Sequence, residues 1–439
     1  MEENGLTKEE RREVRRKRRL RNQIVAYITV IVFILLAAAG IVLGVRKLTE
    51  GLGEAEQESQ ASQEVLNQIL ADEEVIQTPE PTPEFVELTP EEKLDQIVDA
   101  GIEVMPLEDK VAGLFIVTPE AITGVTTALQ AGDGTKEALA QYAVGGLVYF
   151  TKNIQSEEQI ITMLDNTELY TKYPLFLGVD EEGGSVARLA EAGIGTKVDN
   201  AQAIGGSGDT NNAYLAGLSI GGDLSRIGFN LDFAPVADLA NVENSAIGTR
   251  SYGADASAAA GYVSAAVQGL SEQGITSCLK HFPGIGGSVQ DTHTGLASTG
   301  RSAEQFRGEE FTVFQAGIDA GADMVMIGHI SAPELTGNND PCTFSEEVVT
   351  GILRNEMGFQ GVIITDAMNM KAVSDYYDSA DAAIQALRAG CDMILMPEDF
   401  EAAYNGVLQA VRDGIISEER VDDSLRRIYR IKYADKIEE

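Results

Sequence analysis

The chain carries three histidines, and two of them, His281 and His293, share one glycine-rich stretch, KHFPGIGGSVQDTH (280–293). Imidazole gains and loses a proton near neutral pH, so a loop that concentrates it is a candidate for acid–base work. Asp291 stands two residues before His293. In an extended loop, residues i and i+2 point the same way, so a carboxylate there can orient an imidazole and stabilise its charged form. Other ionisable residues fall at the ends of short apolar runs: Asp180 in PLFLGVD, Lys280 and His281 in TSCLKHF, His329 in DMVMIGH, Asp366 in GVIITDA. A lone aspartate at a strand end is usually a helix cap or a turn former. Several such residues gathered at one rim read differently, because a barrel does its chemistry at the C-terminal ends of its strands.

The elements that must hold these residues can be read from the same runs. AGLFIVT (112–118), GGLVYF (145–150), PLFLGVD (174–180), FNLDFAPV (229–236), TSCLKHF (276–282), DMVMIGH (323–329), GVIITDA (361–367) and DMILMP (392–397) are short, β-rich and apolar throughout. That is the pattern of strands buried on both faces. Amphipathic segments lie between most of them, among them Glu157–Tyr170, Ala256–Gln273, Ala303–Ala320 and Ser345–Met357. Eight strands alternating with helices predict an α/β fold of the (β/α)8, TIM-barrel type. A doubly wound open sheet has the same alternation and is the competing architecture.

Five separated segments carry a resemblance. KHFPGIGGSVQDTH resembles the KHFPGHGDT…DSH loop of glycoside hydrolase family 3, in its bacterial β-N-acetylglucosaminidase (NagZ-like) branch. VDEEGGSVARL (179–189) resembles DQEGGRVQRL, FNLDFAPVADL (229–239) an NFAPVLD segment, IGTRSYG (247–253) IGDRSFG, and GVIITDAMNM (361–370) the GVVFSDDLSM-type nucleophile strand. The resemblance covers nearly all of residues 91–439 and implies a retaining glycosidase, which needs a nucleophile and an acid/base. Asp366 matches the nucleophile. Asp291 and His293 match the acid/base dyad. Asp180, Arg188, Arg250, Lys280 and His281 match sugar-binding positions, and acceptor carboxylates with forked Arg donors suit a polyol.

Many family members supply the acid from a second domain. This chain ends at Glu439, directly after the last expected barrel helix, so the acid is expected from the barrel itself. His329 is read either as support for the nucleophile strand or as a satisfied core histidine. Asp232 and Asp238 are read as structural, orienting the basic residues, and the loop glycines as giving a mobile loop its turns. Two departures stand out. The family's second loop histidine is Ile285 here, and the acidic residue that follows is Gly287.

The formal charge of the 439 residues is −36. Before residue 24 there are nine Lys/Arg against five Glu, a local excess of four, so the remainder carries −40. Such a surface repels nucleic acid and favours a neutral substrate. Ile24 to Val45 holds no charged residue. As a helix it would span about 33 Å, enough for a hydrocarbon core of about 30 Å. The basic residues before it place the N-terminus in the cytoplasm and the rest outside. A cleaved signal peptide ending near Ala37-Ala38-Ala39 is the alternative.

The expected organisation is therefore a basic cytoplasmic tail (1–23), a transmembrane helix (24–45), an acidic, Pro-containing linker (46–90) and one catalytic barrel (91–439). Cys278, Cys342 and Cys391 are scattered and read as small buried hydrophobes. No metal-ligand spacing, P-loop or nucleotide fingerprint occurs, and no cofactor is expected. The expected partners are a GlcNAc-containing carbohydrate and, through residues 24–45, the membrane. The leading functional reading is an anchored, extracytoplasmic exo-β-N-acetylglucosaminidase acting on peptidoglycan-derived sugars. A β-N-acetylglucosaminide phosphorylase, another family 3 β-glycosidase and a non-catalytic sugar-binding scaffold are the alternatives.

Overall fold

The computed structural model describes residues 88–292 and 294–434. The expected tail, membrane helix and nearly all of the linker, together with His293, lie outside the described residues. Among the described residues, no helix is long and apolar enough to cross a membrane.

Each of the eight apolar runs contains a strand: β1 Phe115–Val117, β2 Gly146–Val148, β3 Phe176–Val179, β4 Leu231–Asp232, β5 Thr276–Phe282, β6 Met324–Ile327, β7 Val362–Thr365 and β8 Ile394–Leu395. All of them pair in parallel, each with its neighbours in chain order, and β1 also pairs with β8. A bridge between Ile364 and Met393 then joins β7 to β8. The sheet is a near-closed barrel, which rules out the doubly wound open sheet. Closure leaves no long edge, and burial on both faces explains why the strands read as continuous apolar runs.

The helices form where polar caps meet amphipathic stretches. Ser156 accepts a bond from the Gln159 amide at the head of Glu157–Tyr170, and Asp255 one from the Ala258 amide at the head of Ala256–Ser271. Two expected helices differ from the sequence reading. The segment 303–320 divides into Ala303–Gly308 and Glu310–Asp319, with Glu309 out of helical geometry. Glu309 and Glu310 both bind Arg301 at this break. The segment after Ser345 is a π-helix over Glu347–Glu356, closed by a bond from the Met357 amide to Ile352 O at 2.9 Å. The three cysteines are buried, and burial pushes the Cys342 thiol up to about 12.

One buried carboxylate ties the last turn of the barrel together. Asp392 is fully buried just before β8. It accepts from the Ile363 amide of β7 (2.9 Å), from Arg354 on the π-helix (2.6 Å), and from Ser424 (2.9 Å) and Arg427 (3.1 Å) on Glu418–Tyr433. Asp392→Ala strands buried guanidinium charge and is expected to cost about 3–5 kcal/mol. Asp99→Ala removes an exposed partner of Arg426 and should cost no more than about 1 kcal/mol. Urea denaturation of both variants measures the contrast, and equal losses would contradict the role given to Asp392.

Candidate active site

A cavity of about 320 Å³ opens at the C-terminal ends of the strands. Its apolar floor comes from Val148, Phe150, Phe233, Met326 and Leu395. Its polar wall comes from Asp180, Glu182, Arg188, Arg250, Lys280, His281 and Asp366. Six of the eight site residues named from the sequence therefore meet in one cavity. Asp291 lies on an exposed part of the loop and is not among the lining residues, and His293 is outside the described residues.

Lys280 organises the wall. Its side chain is 3% exposed, and Nζ lies 2.7 Å from Asp180 Oδ1 and 2.6 Å from Glu182 Oε1. Burial alone would lower the ammonium's pKa, but Asp180 and Glu182 outweigh it and hold Lys280 charged. Arg250 grips Glu182 with two donors, Nε to Oε2 at 2.8 Å and Nη2 to Oε1 at 2.7 Å. Glu182 is thus the shared counter-ion of two pocket cations. Burial pushes its carboxyl up, yet Lys280 and Arg250 prevail and hold it at about 2.

The sequence reading passed over Glu182. The available signal was its place two residues after Asp180, on the same side of an extended segment. The sequence reading also expected Lys280, Arg188 and Arg250 to act as donors to Asp366. Instead Lys280 is tied to Asp180 and Glu182, Arg250 to Glu182, and the Ala367 amide donates to Asp366 Oδ1 at 2.7 Å.

Lys280 and His281 are successive, and a regular strand would send them to opposite faces. The register of β5 against β6 shifts between Leu279 and Phe282, and both residues line the cavity. His281 Nδ1 lies 2.7 Å from Asp238 Oδ2, which also accepts the His281 amide at 2.9 Å. With Nδ1 engaged as a donor, Nε2 is the edge left for the cavity. Asp238 does orient a basic residue, as expected. Asp232 does not, because its Oδ1 accepts the Glu181 amide at 2.9 Å.

His329 is fully buried, with Nε2 3.1 Å from the Ala367 carbonyl and Nδ1 2.7 Å from Thr343 Oγ1. A carbonyl only accepts, so Nε2 carries the proton and the Thr343 hydroxyl donates to Nδ1. Burial lowers its pKa, although Asp366 pulls the other way, which favours this neutral form. Both readings of His329 meet here, since it is a satisfied core histidine that also steadies the residue after Asp366.

The glycine loop begins as an anchored segment, contrary to the expected turns of a mobile loop. A Cβ on Gly286 would lie 1.7 Å from the Leu239 carbonyl oxygen. Gly284 has φ +125°, and a Cβ there would lie 2.6 Å from Glu310 Cγ. Asp238 Oδ1 accepts the Ile285 amide at 2.7 Å, and Ser245 Oγ donates to Gly286 O at 2.8 Å. These glycines permit close approach more than motion.

A near-closed parallel barrel with a charge-balanced polar pocket at the C-terminal ends of its strands defines a (β/α)8-barrel enzyme. Residues 91–431 match the Glycosyl hydrolase family 3 N terminal domain, and the chain belongs to that family. It is 30% identical over 326 residues to beta-hexosaminidase A of Pseudoalteromonas piscicida, covering 67% of this chain and 54% of the relative. It is 35% identical over 296 residues to a beta-hexosaminidase of Xylella fastidiosa (strain 9a5c), covering 65% of this chain and 85% of the relative. Among solved structures, it is similar to a glycoside hydrolase family 3 beta-N-acetylglucosaminidase from Paenibacillus sp. str. FPU-7. The TM-score is 0.72 at 34% identity, covering 76% of this chain and 63% of that one. The chain thus spans about half the length of the Pseudoalteromonas relative.

Glu182→Gln leaves Lys280 with one carboxylate and Arg250 without its forked partner, so substrate KM should rise about tenfold or more. The native carboxyl sits at about 2 against an ordinary value of 4.5, so its stabilisation is complete above 4.5 and lost as pH falls through 2. Wild type should therefore lose more stability than the variant over that acid range. Parallel acid-unfolding curves would count against this role for Glu182.

Proposed function

We propose that this chain is a retaining exo-β-N-acetylglucosaminidase that removes terminal β-linked GlcNAc from peptidoglycan-derived sugars. The observation that carries the reading is the convergence of Asp366 with Asp180, Arg188, Arg250, Lys280 and His281 on one cavity of about 320 Å³. The names of its relatives, beta-hexosaminidases and a beta-N-acetylglucosaminidase, support the sugar class. In this reading residues 24–45 anchor the enzyme in the membrane, and residues 46–90 carry the barrel outside the cell.

In this reading the parts of a double displacement are divided between the cavity and the glycine loop. Asp366, at the end of β7, attacks the anomeric carbon and forms a glycosyl-enzyme. Asp180, Lys280, His281 and the two arginines hold the sugar hydroxyls. His293, oriented by Asp291, gives a proton to the departing oxygen and then takes one from water. Charges from Asp180, Glu182, Lys280 and Arg250 cancel in pairs, which suits a neutral sugar.

The test is turnover of aryl β-GlcNAc, aryl β-glucoside and muropeptides by the full chain, with and without phosphate. Faster release from the GlcNAc substrate is expected, with GlcNAc rather than sugar-1-phosphate as product. A glucoside preference or a phosphate-dependent product would overturn the reading.

Two substitutions test the mechanism. Asp366→Ala should abolish turnover, because no group remains to form the intermediate; survival of more than a few per cent of the rate would reassign the nucleophile. His293→Ala should slow substrates with poor leaving groups most, and azide should restore turnover of an activated aryl substrate, since azide needs no deprotonation. Equal losses across leaving groups, without azide rescue, would make His293 a binding residue.

A further inference from the structure

Asp180 and Glu182 line the cavity, and Glu181 between them does not. Alternation along the extended segment sends its side chain the other way, where it is 2% exposed. There Oε2 accepts the Leu189 amide at 2.7 Å and Oε1 the Ala190 amide at 3.1 Å. Both amides belong to the short turn Arg188–Glu191, which opens with the cavity residue Arg188. The Arg188 guanidinium stands 5.8 Å above the Phe150 ring and 3.7 Å from Glu191. Its Nε is buried without a hydrogen-bond partner among the described residues.

We propose that Glu181 is the positioning residue for Arg188: its buried, ionised carboxylate clamps the two amides that aim Arg188 at the sugar, and protonation loosens the clamp. The proposal rests on the reading of the cavity as a GlcNAc site. Two N–H donors on one carboxyl require an acceptor on each oxygen. An ionised carboxylate offers both, whereas a protonated one turns one oxygen into a donor.

The groups facing Glu181 are few. Arg188 lies on the clamped turn. Asp223 lies on the helix Asn211–Ile227 and is itself paired with Arg226 at 2.9 Å. Asp232 lies on β4, fully buried, and burial holds its own carboxyl well above the usual range, so it adds little negative charge. Burial pushes Glu181 up to about 7, aided by Asp223 and opposed by the two amides and Arg188. The clamp is therefore closed above pH 7 and opens as the pH falls through 7. The family segment quoted above has Gln at this position, which has one acceptor oxygen and no titration.

The test is calorimetric binding of N-acetylglucosamine to the full chain between about pH 8 and about pH 5.5. Wild-type Kd should rise about fivefold on acidification, as one charge-assisted bond to the turn is lost. Glu181→Gln should hold the weaker, low-pH Kd at every pH. In an Arg188→Ala background, with Glu181 intact, the pH slope should vanish, because nothing is left to aim. A slope unchanged by Glu181→Gln, or one that survives Arg188→Ala, overturns the proposal. Absence of binding at every pH overturns both the proposal and the sugar reading beneath it.

Discussion

The pocket depends on a buried ammonium. Lys280 comes up from β5 into the mouth of the barrel, where isolated charge is strongly disfavoured. Two carboxylates from the end of β3 neutralise it, and one of these, Glu182, also takes Arg250. Such a network is stable only when every member has its partner, because removing one leaves another stranded. The positions of Asp180, Glu182, Lys280 and Arg250 are therefore one decision. The polar wall of the cavity is held as a unit because its charges cannot relax separately.

A second tier fixes what the first leaves open. Asp238 binds the His281 ring and also the Ile285 amide, so the orientation of a pocket histidine and the start of the glycine loop are coupled through one carboxylate. His329 holds the Ala367 carbonyl next to Asp366. Glu181 holds the turn of Arg188. In each case a fully buried polar side chain sits one contact behind a cavity residue, where preorganisation of a site is set.

Much of the fold was legible because a barrel strand has a simple signature. Burial on both faces demands an unbroken apolar run, and all eight runs contain a strand. Ionisable residues at their ends marked the rim, and the family motifs gave several of them roles. Helix interiors were less legible. The break at Glu309 and the π-helix over Glu347–Glu356 lie in stretches with ordinary amphipathic spacing. At the break, Glu309 and Glu310 pair with Arg301 eight and nine residues earlier, a contact that amphipathic spacing does not encode.

The sequence by itself determined the number of strands, the rim that carries the ionisable residues and the grouping of Asp180, Arg188, Arg250, Lys280, His281 and Asp366, which line one cavity. These follow from local composition and from motif order. Tertiary structure alone decided closure of the sheet, since an open α/β sheet has the same alternation, and it is the pairing of β8 with β1 together with the Ile364–Met393 bridge to β7 that distinguishes them. It also decided which carboxylate serves which cation. Asp180, Glu181 and Glu182 are adjacent and chemically alike, yet two face the cavity and one faces a turn. Strand alternation separates them, and long-range pairing with Lys280, Arg250 and the Arg188 turn gives each a different task.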